Sequence, residues 1–423
     1  MNISRLQAAF ISEPENSFSG VPGIMTMFDA EKINVQDHTP SPPPADLRIC
    51  RYNAEAIPDV LKLVKVTLGN EGAVRKTEAF WRWKHEDNDF GSSYGLYAWD
   101  ETQALAVGLR VLMRWQFRTK DGELLRAVRA VDTATHPAYQ RLGIFSKLTR
   151  QAVEDLKQEG VDLIFNTPNA RSLPGYLKMG WQIVAKWPLY IRALRPIRML
   201  SRRLKSIPAS QQLIKFDDFF APDIMTWQAF AERYGEDIPK LVSNWEQQRH
   251  QTGFRTRRDF NFLQWRYGEH PHLTYGIYAW EDLGTLAGFA ILRPNWRYGW
   301  QEIVLTEMFV TPSDARRKKK FLLNCIEQLR GDYLIAHFAQ GTEERKLLRQ
   351  AGFFRAPAQG MIFTVNPLQP SSQHALAPAS WDLTHHYCAA VFWWAFGQPH
   401  AARRSNVDAA LYRHRGGSPK SSI

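Results

Sequence analysis

The chain has 423 residues, 44% of them hydrophobic and 23% charged, with a formal net charge of +12 at pH 7. That length suits two or three domains and that apolar content a sizeable core, which excludes a disordered or fibrous chain. The three cysteines, Cys50, Cys325 and Cys388, are too scattered for a disulfide framework or a metal-ligand spacing; they imply no metal and point to a reducing compartment. With no signal-peptide core and no apolar run long enough for a bilayer, a cytoplasmic location is expected.

In chain order, residues 1–46 are polar, rich in Ser and Pro, and without hydrophobic periodicity, so they are expected to be disordered. Apolar residues at helical spacing follow over 57–68 and around 80–83. Alternating strands are expected at 94–99, 104–117 and 124–135, the last two joined by the hairpin signal Asp121-Gly122. A helix opens at Gly143 and runs to about residue 159. A strand over 161–166, a helix over 172–179 and a strand over 181–192 complete the series, with Gly160 and Gly180 at helix C-caps. Residues 193–220 read as a linker or bridging helix. Its basic segment 196–207 carries Ile197, Met199, Leu200 and Leu204, which suits either packing or peripheral contact with an anionic membrane.

The same pattern then recurs. Ile57-Pro58 returns as Ile238-Pro239, Phe80-Trp81-Arg82-Trp83-Lys84 as Phe262-Leu263-Gln264-Trp265-Arg266, and Tyr94-Gly95-Leu96-Tyr97-Ala98-Trp99 as Tyr275-Gly276-Ile277-Tyr278-Ala279-Trp280. The offsets are 181, 182 and 181 residues, so the chain holds two copies of one fold rather than a solenoid. The second copy has strands at 275–280, 285–294 and 303–310, a helix at 319–329, a strand at 333–338, and a helix at 343–350 ended by Gly352. The expected divisions are a disordered segment 1–46, a first domain 47–192, a linker 193–220, a second domain 221–368 and a partly disordered extension 369–423. Trp81, Trp83 and Trp265 recur at matching places, as core packing predicts. Trp393-Trp394, within 385–396, lies on a stretch too short to span a membrane. The basic runs at 195–205, 255–258, 316–320 and in the tail read as solvated faces.

The stretch from Ala130 to Leu148 carries the most chemistry. A strand stops at Pro137, crosses a short polar turn and opens a helix at Gly143. The first N–H groups of a helix have no internal partner and sit at the positive end of its dipole, so they suit a phosphate. Downstream stand Asn169, Tyr176, Gly180 and Trp181. Gln140, Gly143 and Phe145 occupy the three fixed positions of the loop Gln/Arg-x-x-Gly-x-Gly/Ala, and with Asn169, Tyr176 and Gly180-Trp181 the chain resembles the GNAT acetyltransferases. Phe145 departs from the small residue usual there. The order α-α-β-β-β-α-β-α-β is also that of the GNAT fold.

The resemblance implies a mixed α/β sheet in two tandem GNAT-like domains, the second degenerate. It implies an acyl-CoA-dependent N-acyltransferase, acetyl by default, that joins acyl-CoA and an amine by direct attack. Thr133, Ala134, Thr135, Gln140, Arg141, Leu142, Gly143, Ile144, Phe145, Ser146 and Asn169 are the expected cofactor contacts, with an exposed strand edge for pantetheine and a backbone N–H near Asp132–Thr133 for the thioester carbonyl. Asn169 either holds the pantetheine arm or caps the helix. Tyr176 is the expected proton donor to the departing thiolate. Asp132 is the first candidate base and His136 the second; Glu86, Asp87 and Asp89 line an acceptor cleft or a solvated loop.

In the second copy the loop position reads Pro312-Ser313-Asp314-Ala315-Arg316-Arg317-Lys318-Lys319-Lys320, without Gly, and no Tyr precedes Gly352. Its cofactor site is expected to be lost, and Gly143 is expected to answer to a ligand rather than to architecture. Glu307 reads first as a core-edge hydrogen-bonding group and second as a group that reaches a substrate. The acceptor reads as a small-molecule amine, such as an amino sugar or glycan precursor. The alternatives are a Fem-type aminoacyl-tRNA-dependent transferase, or a non-catalytic module binding acyl-CoA or nucleic acid, although nucleic acid is not the expected partner.

Overall fold

The structure, a computed structural model, describes residues 46–68, 75–170, 172–204, 213–248, 253–297, 299–311, 314–338 and 343–382. The expected disorder at 1–45 and beyond 382, and with it Cys388, Trp393 and Trp394, lies outside those residues, as do Pro312 and Ser313.

The N-terminal half opens with β1 (Leu47–Arg51), which the sequence pattern does not announce. Helix α1 (Ile57–Leu68) buries Ile57, Val60, Leu61 and Val64, one stripe at helical spacing. Helix α2 (Glu78–His85) is capped by the Thr77 hydroxyl, which accepts from the Phe80 N–H. Strands β2 (Tyr94–Asp100), β3 (Leu105–Arg118) and β4 (Leu124–Thr135) form an antiparallel meander. Helix α3 (Ile144–Gln158), β5 (Leu163–Asn166), α4 (Leu173–Lys178) and β6 (Gln182–Ala193) complete this half. Helix α5 (Pro196–Leu204) bridges to the C-terminal half: Met199 packs inward, Ile197 points to solvent, and Arg198 donates to Asp332 and Gln301 at 2.5 Å each.

The C-terminal half begins with β7 (Ile224–Thr226), α6 (Trp227–Tyr234), α7 (Asp237–Gln247), β8 (Arg255–Thr256) and α8 (Phe260–Leu263). It continues with β9 (Gly276–Asp282), β10 (Thr285–Arg297), β11 (Trp300–Val310), α9 (Ala315–Glu327), β12 (Tyr333–Ala336), α10 (Glu343–Gln350) and β13 (Phe354–Pro367).

The described strands form one mixed sheet with the path β1-β2-β3-β4-β5-β13-β6-β12-β11-β10-β9-β7, while β8 pairs with β3. Two strands cross between the halves of the chain. β13, from the C-terminal half, lies against β5 of the N-terminal half, and β6, from the N-terminal half, lies against β12 of the C-terminal half. The sheet therefore runs across the boundary expected at 192. A large apolar cluster draws on both halves, from Phe80, Trp83 and Trp115 to Trp245, Phe262 and Trp265.

One basic run is not a solvated face. Arg255 and Arg258 are buried: Arg255 pairs with Glu246 at 2.7 Å and Arg258 with Glu307 at 3.2 Å, while Arg257 pairs with Asp89. A buried cation needs such a partner, so the run 255–258 is part of the core, and Arg257 ties it to the N-terminal half through Asp89. Glu307 also accepts from the Tyr267 hydroxyl at 3.3 Å, and it lies buried within the core rather than at the core edge expected of it. Among the described residues no helix is long and apolar enough to cross a membrane.

Candidate active site

The sheet opens at one place. β4 and β5 run parallel and pair only at Ala127–Arg129 with Leu163–Phe165. Beyond Arg129, β4 continues to Thr135 paired with β3 alone, so its other edge faces a fork. A bulge in β4 falls here: Arg110 opposes Thr133 and Leu112 opposes Ala130, with Val131 and Asp132 between. A bulge re-aims neighbouring side chains, and it sends Thr133 and Asp132 to opposite environments.

On the Thr133 side lies the α3 loop. Gly143 stands at the helix N-cap with φ 74° and no side-chain cap, and an added Cβ would meet nothing within 4 Å. The left-handed backbone gives Gly143 an architectural reason beside the ligand expected from the sequence. The N-terminus of α9 sharpens the contrast. There the carboxylate of Asp314 accepts from the Arg316 N–H at 2.8 Å and so caps α9 itself. The α3 terminus keeps its N–H groups for another acceptor. Gln140, Arg141 and Leu142 are exposed in this loop, Ile144 is buried, and a groove of about 610 Å³ runs along α3 past Gly143, Ser146, Lys147 and Arg150.

Tyr176, buried on α4, reaches the same place. Its ring meets the Phe145 ring edge-on at 6.0 Å, so the residue that departs from the family loop packs against the expected proton donor. Its hydroxyl accepts from Arg110 at 2.9 Å, and the same Nη1 donates to Thr133 at 2.7 Å. Asn169 accepts from the Ser172 N–H at 2.9 Å and its hydroxyl at 3.1 Å, holding the turn into α4. Ala134 and Thr135 lie further along β4, opposite Leu109 and Gly108.

On the other side, Asp132 Oδ2 accepts from Lys84 Nζ at 2.5 Å and lies 3.0 Å from His85 Nε2. His85 Nδ1 is 2.9 Å from the Ser93 hydroxyl. Burial pushes the Asp132 carboxyl up, but the Lys84 ammonium and the His85 hydrogen bond outweigh it and hold it well below the usual carboxylate range. Such a carboxylate is a weak proton acceptor, which argues against the base role expected of Asp132 and for a counter-charge to Lys84. Burial lowers the affinity of His85 for a proton, against the pull of Asp132. Lys76, close to the same group, is also pushed down by burial, with Asp132 opposing and Lys84 assisting.

His136 serves its turn: its Nδ1 accepts from the Ala138 N–H at 3.4 Å. Glu86 accepts from the Tyr52 hydroxyl at 2.6 Å, and Asp89 is taken by Arg257. Sequence reasoning passed over Arg110, Lys84 and His85. Arg110 has a legible signal, a cation between Gly108 and Leu112 on the inward face of an apolar strand. Lys84 and His85 look like the solvated last turn of a helix and differ only in being buried.

A family model described as an acetyltransferase (GNAT) domain matches residues 48–184. Among solved structures, the chain is similar to a conserved protein of unknown function from Enterococcus faecalis V583, described as a probable N-acyltransferase. The identity is 14% and the TM-score 0.52, over 76% of this chain and 73% of that one. It is also similar to a GCN5-related N-acetyltransferase from Anabaena variabilis ATCC 29413, with 12% identity, a TM-score of 0.53 and the same shares of 76% and 73%. At these identities the likeness is one of fold. No curated protein matches the chain.

Proposed function

Because residues 48–184 carry a GNAT acetyltransferase domain, we propose that the fork between β4 and β5 binds an acyl-CoA and transfers its acyl group, acetyl by default, to a small-molecule amine. The observation that carries this reading is a convergence. The uncapped N-terminus of α3, the unpaired edge of β4 and the Tyr176 hydroxyl are tied together by Phe145, Arg110 and Thr133.

Each part matches one portion of such a molecule. Pyrophosphate suits the N–H groups of the Gly143 loop, with Lys147 and Arg150 along the groove adding positive charge. Two pantetheine amides suit the free edge of β4, as an added strand would. The bound molecule supplies an activated acyl carbon. Backbone N–H groups at the bulge receive its carbonyl oxygen, and Tyr176 gives a proton to the departing sulfur. The amine enters on the Asp132 face, where Lys84 already neutralises the carboxylate. This favours an uncharged amine over a polycation, and an amino sugar or glycan precursor fits that description.

Calorimetry with acetyl-CoA tests the reading: micromolar binding by the wild-type protein is expected, and an absence of binding overturns it. CoA release in the presence of an amine panel then identifies the acceptor class.

A further inference from the structure

Arg110 is fully buried on β3, yet no carboxylate among the described residues pairs with it. Its Nη1 serves Tyr176 and Thr133, while Nε and Nη2, both buried, meet no hydrogen-bond partner among those residues. Its guanidinium also lies 5.3 Å from the Tyr176 ring centre and 5.7 Å from that of Phe145. A buried cation without a counter-ion is costly, so its presence calls for a reason other than stability.

The second repeat shows that the fold does not supply that reason. Counting along the helix-facing side from the glycine beside each strand's bulge, Gly108 and Gly288, the place of Arg110 is taken by Ala290. Counting back from the glycines that end α4 and α10, Gly180 and Gly352, the place of Tyr176 is taken by Leu348. Ala290 and Leu348 sit in one apolar cluster. Arginine and tyrosine are therefore absent together from the copy that also lacks the Gly143 loop.

We propose that Arg110 is a positioning residue of the leaving-group step, a proposal that rests on the acyl-CoA reading of the fork. Arginine can only donate, so the Tyr176 oxygen must be the acceptor in their contact. The phenol hydrogen is then turned away from Arg110, and no described residue accepts it. It is available to sulfur. As the amine nitrogen bonds the acyl carbon, the C–S bond breaks, its electron pair goes to sulfur, and sulfur takes the Tyr176 proton. The nitrogen gives up one proton to solvent and the phenolate recovers one from solvent, so the exchange balances. Throughout, the guanidinium is the counter-charge for the negative charge that passes between sulfur and phenolate.

The test uses the full-length chain, acetyl-CoA, and hydroxylamine as the probe nucleophile, so that the native acceptor is not needed. Arg110→Met keeps the side-chain volume and removes the buried charge; its melting midpoint is expected to be unchanged or raised, and its Kd for acetyl-CoA within about threefold of wild type. Turnover is expected to fall about 10- to 100-fold. Tyr176→Phe should fall equally, the double variant no further, and Arg110→Lys should recover part of the loss. Unchanged turnover in Arg110→Met overturns the proposal. So does a double variant whose loss is the product of the two single losses, or a lowered midpoint with a matching loss of binding, which would make Arg110 structural. A wild-type protein that binds acetyl-CoA but does not speed its reaction with hydroxylamine overturns it as well. A wild-type protein that binds no acetyl-CoA overturns this proposal and the acyl-CoA reading together.

Discussion

Trp83 and Trp265 donate their indole N–H groups to each other's backbone carbonyl, at 2.8 and 2.9 Å, with their rings stacked 5.2 Å apart. The contact is reciprocal and ties the N-terminal half of the chain to the C-terminal half. Replacing either indole by phenylalanine keeps most of the ring but orphans a buried carbonyl. Trp83→Phe and Trp265→Phe should each lose about 1–3 kcal/mol of stability in urea unfolding, and the double variant should show coupling. Strict additivity would mean that the pair does not act as a unit.

Gly143 combines a left-handed backbone with an open surface. Gly143→Ala should cost about 1–2 kcal/mol in stability from backbone strain alone, with a small effect on acetyl-CoA affinity. Gly143→Glu sets a carboxylate beside the bare helix terminus and should weaken acetyl-CoA binding tenfold or more by calorimetry, on the order of 1.4 kcal/mol. Equal binding by Gly143→Glu and wild type would move the phosphate site elsewhere.

Asp132 is held ionised by Lys84 and His85. Its folded value lies below its unfolded value of about 3.9, so its stabilisation is present above that pH and is lost as pH falls through it toward the folded value. Asp132→Asn leaves Lys84 without its anion and should cost about 3–5 kcal/mol at pH 7, a gap that narrows below about pH 4. Urea midpoints at pH 7, 5 and 3 measure this. A turnover profile whose acid limb vanishes in Asp132→Asn would restore Asp132 as the base.

Two buried histidines make the fold acid-sensitive. Burial lowers His337 to about 4, against a hydrogen bond to the Pro188 carbonyl of β6. Burial, with Arg266, His272 and Arg293 nearby, lowers His270 to about 2. Between about pH 6.5 and these values the unfolded chain binds more protons, so stability falls as pH falls, by roughly 3 kcal/mol for each residue at pH 4. His337→Gln should flatten this slope in thermal unfolding between pH 7 and 4; an unchanged slope would remove His337 from the account.

Much of the fold is legible in the sequence because its strands alternate and its helices end at glycines. The expected strand over 124–135 coincides with β4, and the helix expected over 343–350 coincides with α10. The crossing of β6 and β13 between the halves is not legible, because strand pairing depends on which edges meet and both partners present similar apolar faces. At the site, loop and tyrosine are marked by residues with special backbone or chemical demands. Lys84 and His85 carry no such mark: a cation on a short helix reads as exposed until the bulge of β4 is seen to bring Asp132 beneath it.

The placement of β13 beside β5 also limits when the sheet can be completed. β5 is made long before β13, its neighbour on the side away from β4, and nearly two hundred residues of chain separate them. Until the chain has been synthesised past Pro367, β5 cannot have its final neighbour on the side away from β4. The last strand made thus completes the sheet around a site whose chemical groups come from the first half. Contacts this distant in sequence make folding slow, and a nascent chain arrested before β13 would carry the Gly143 loop and Tyr176 without the strand that closes the sheet beside them.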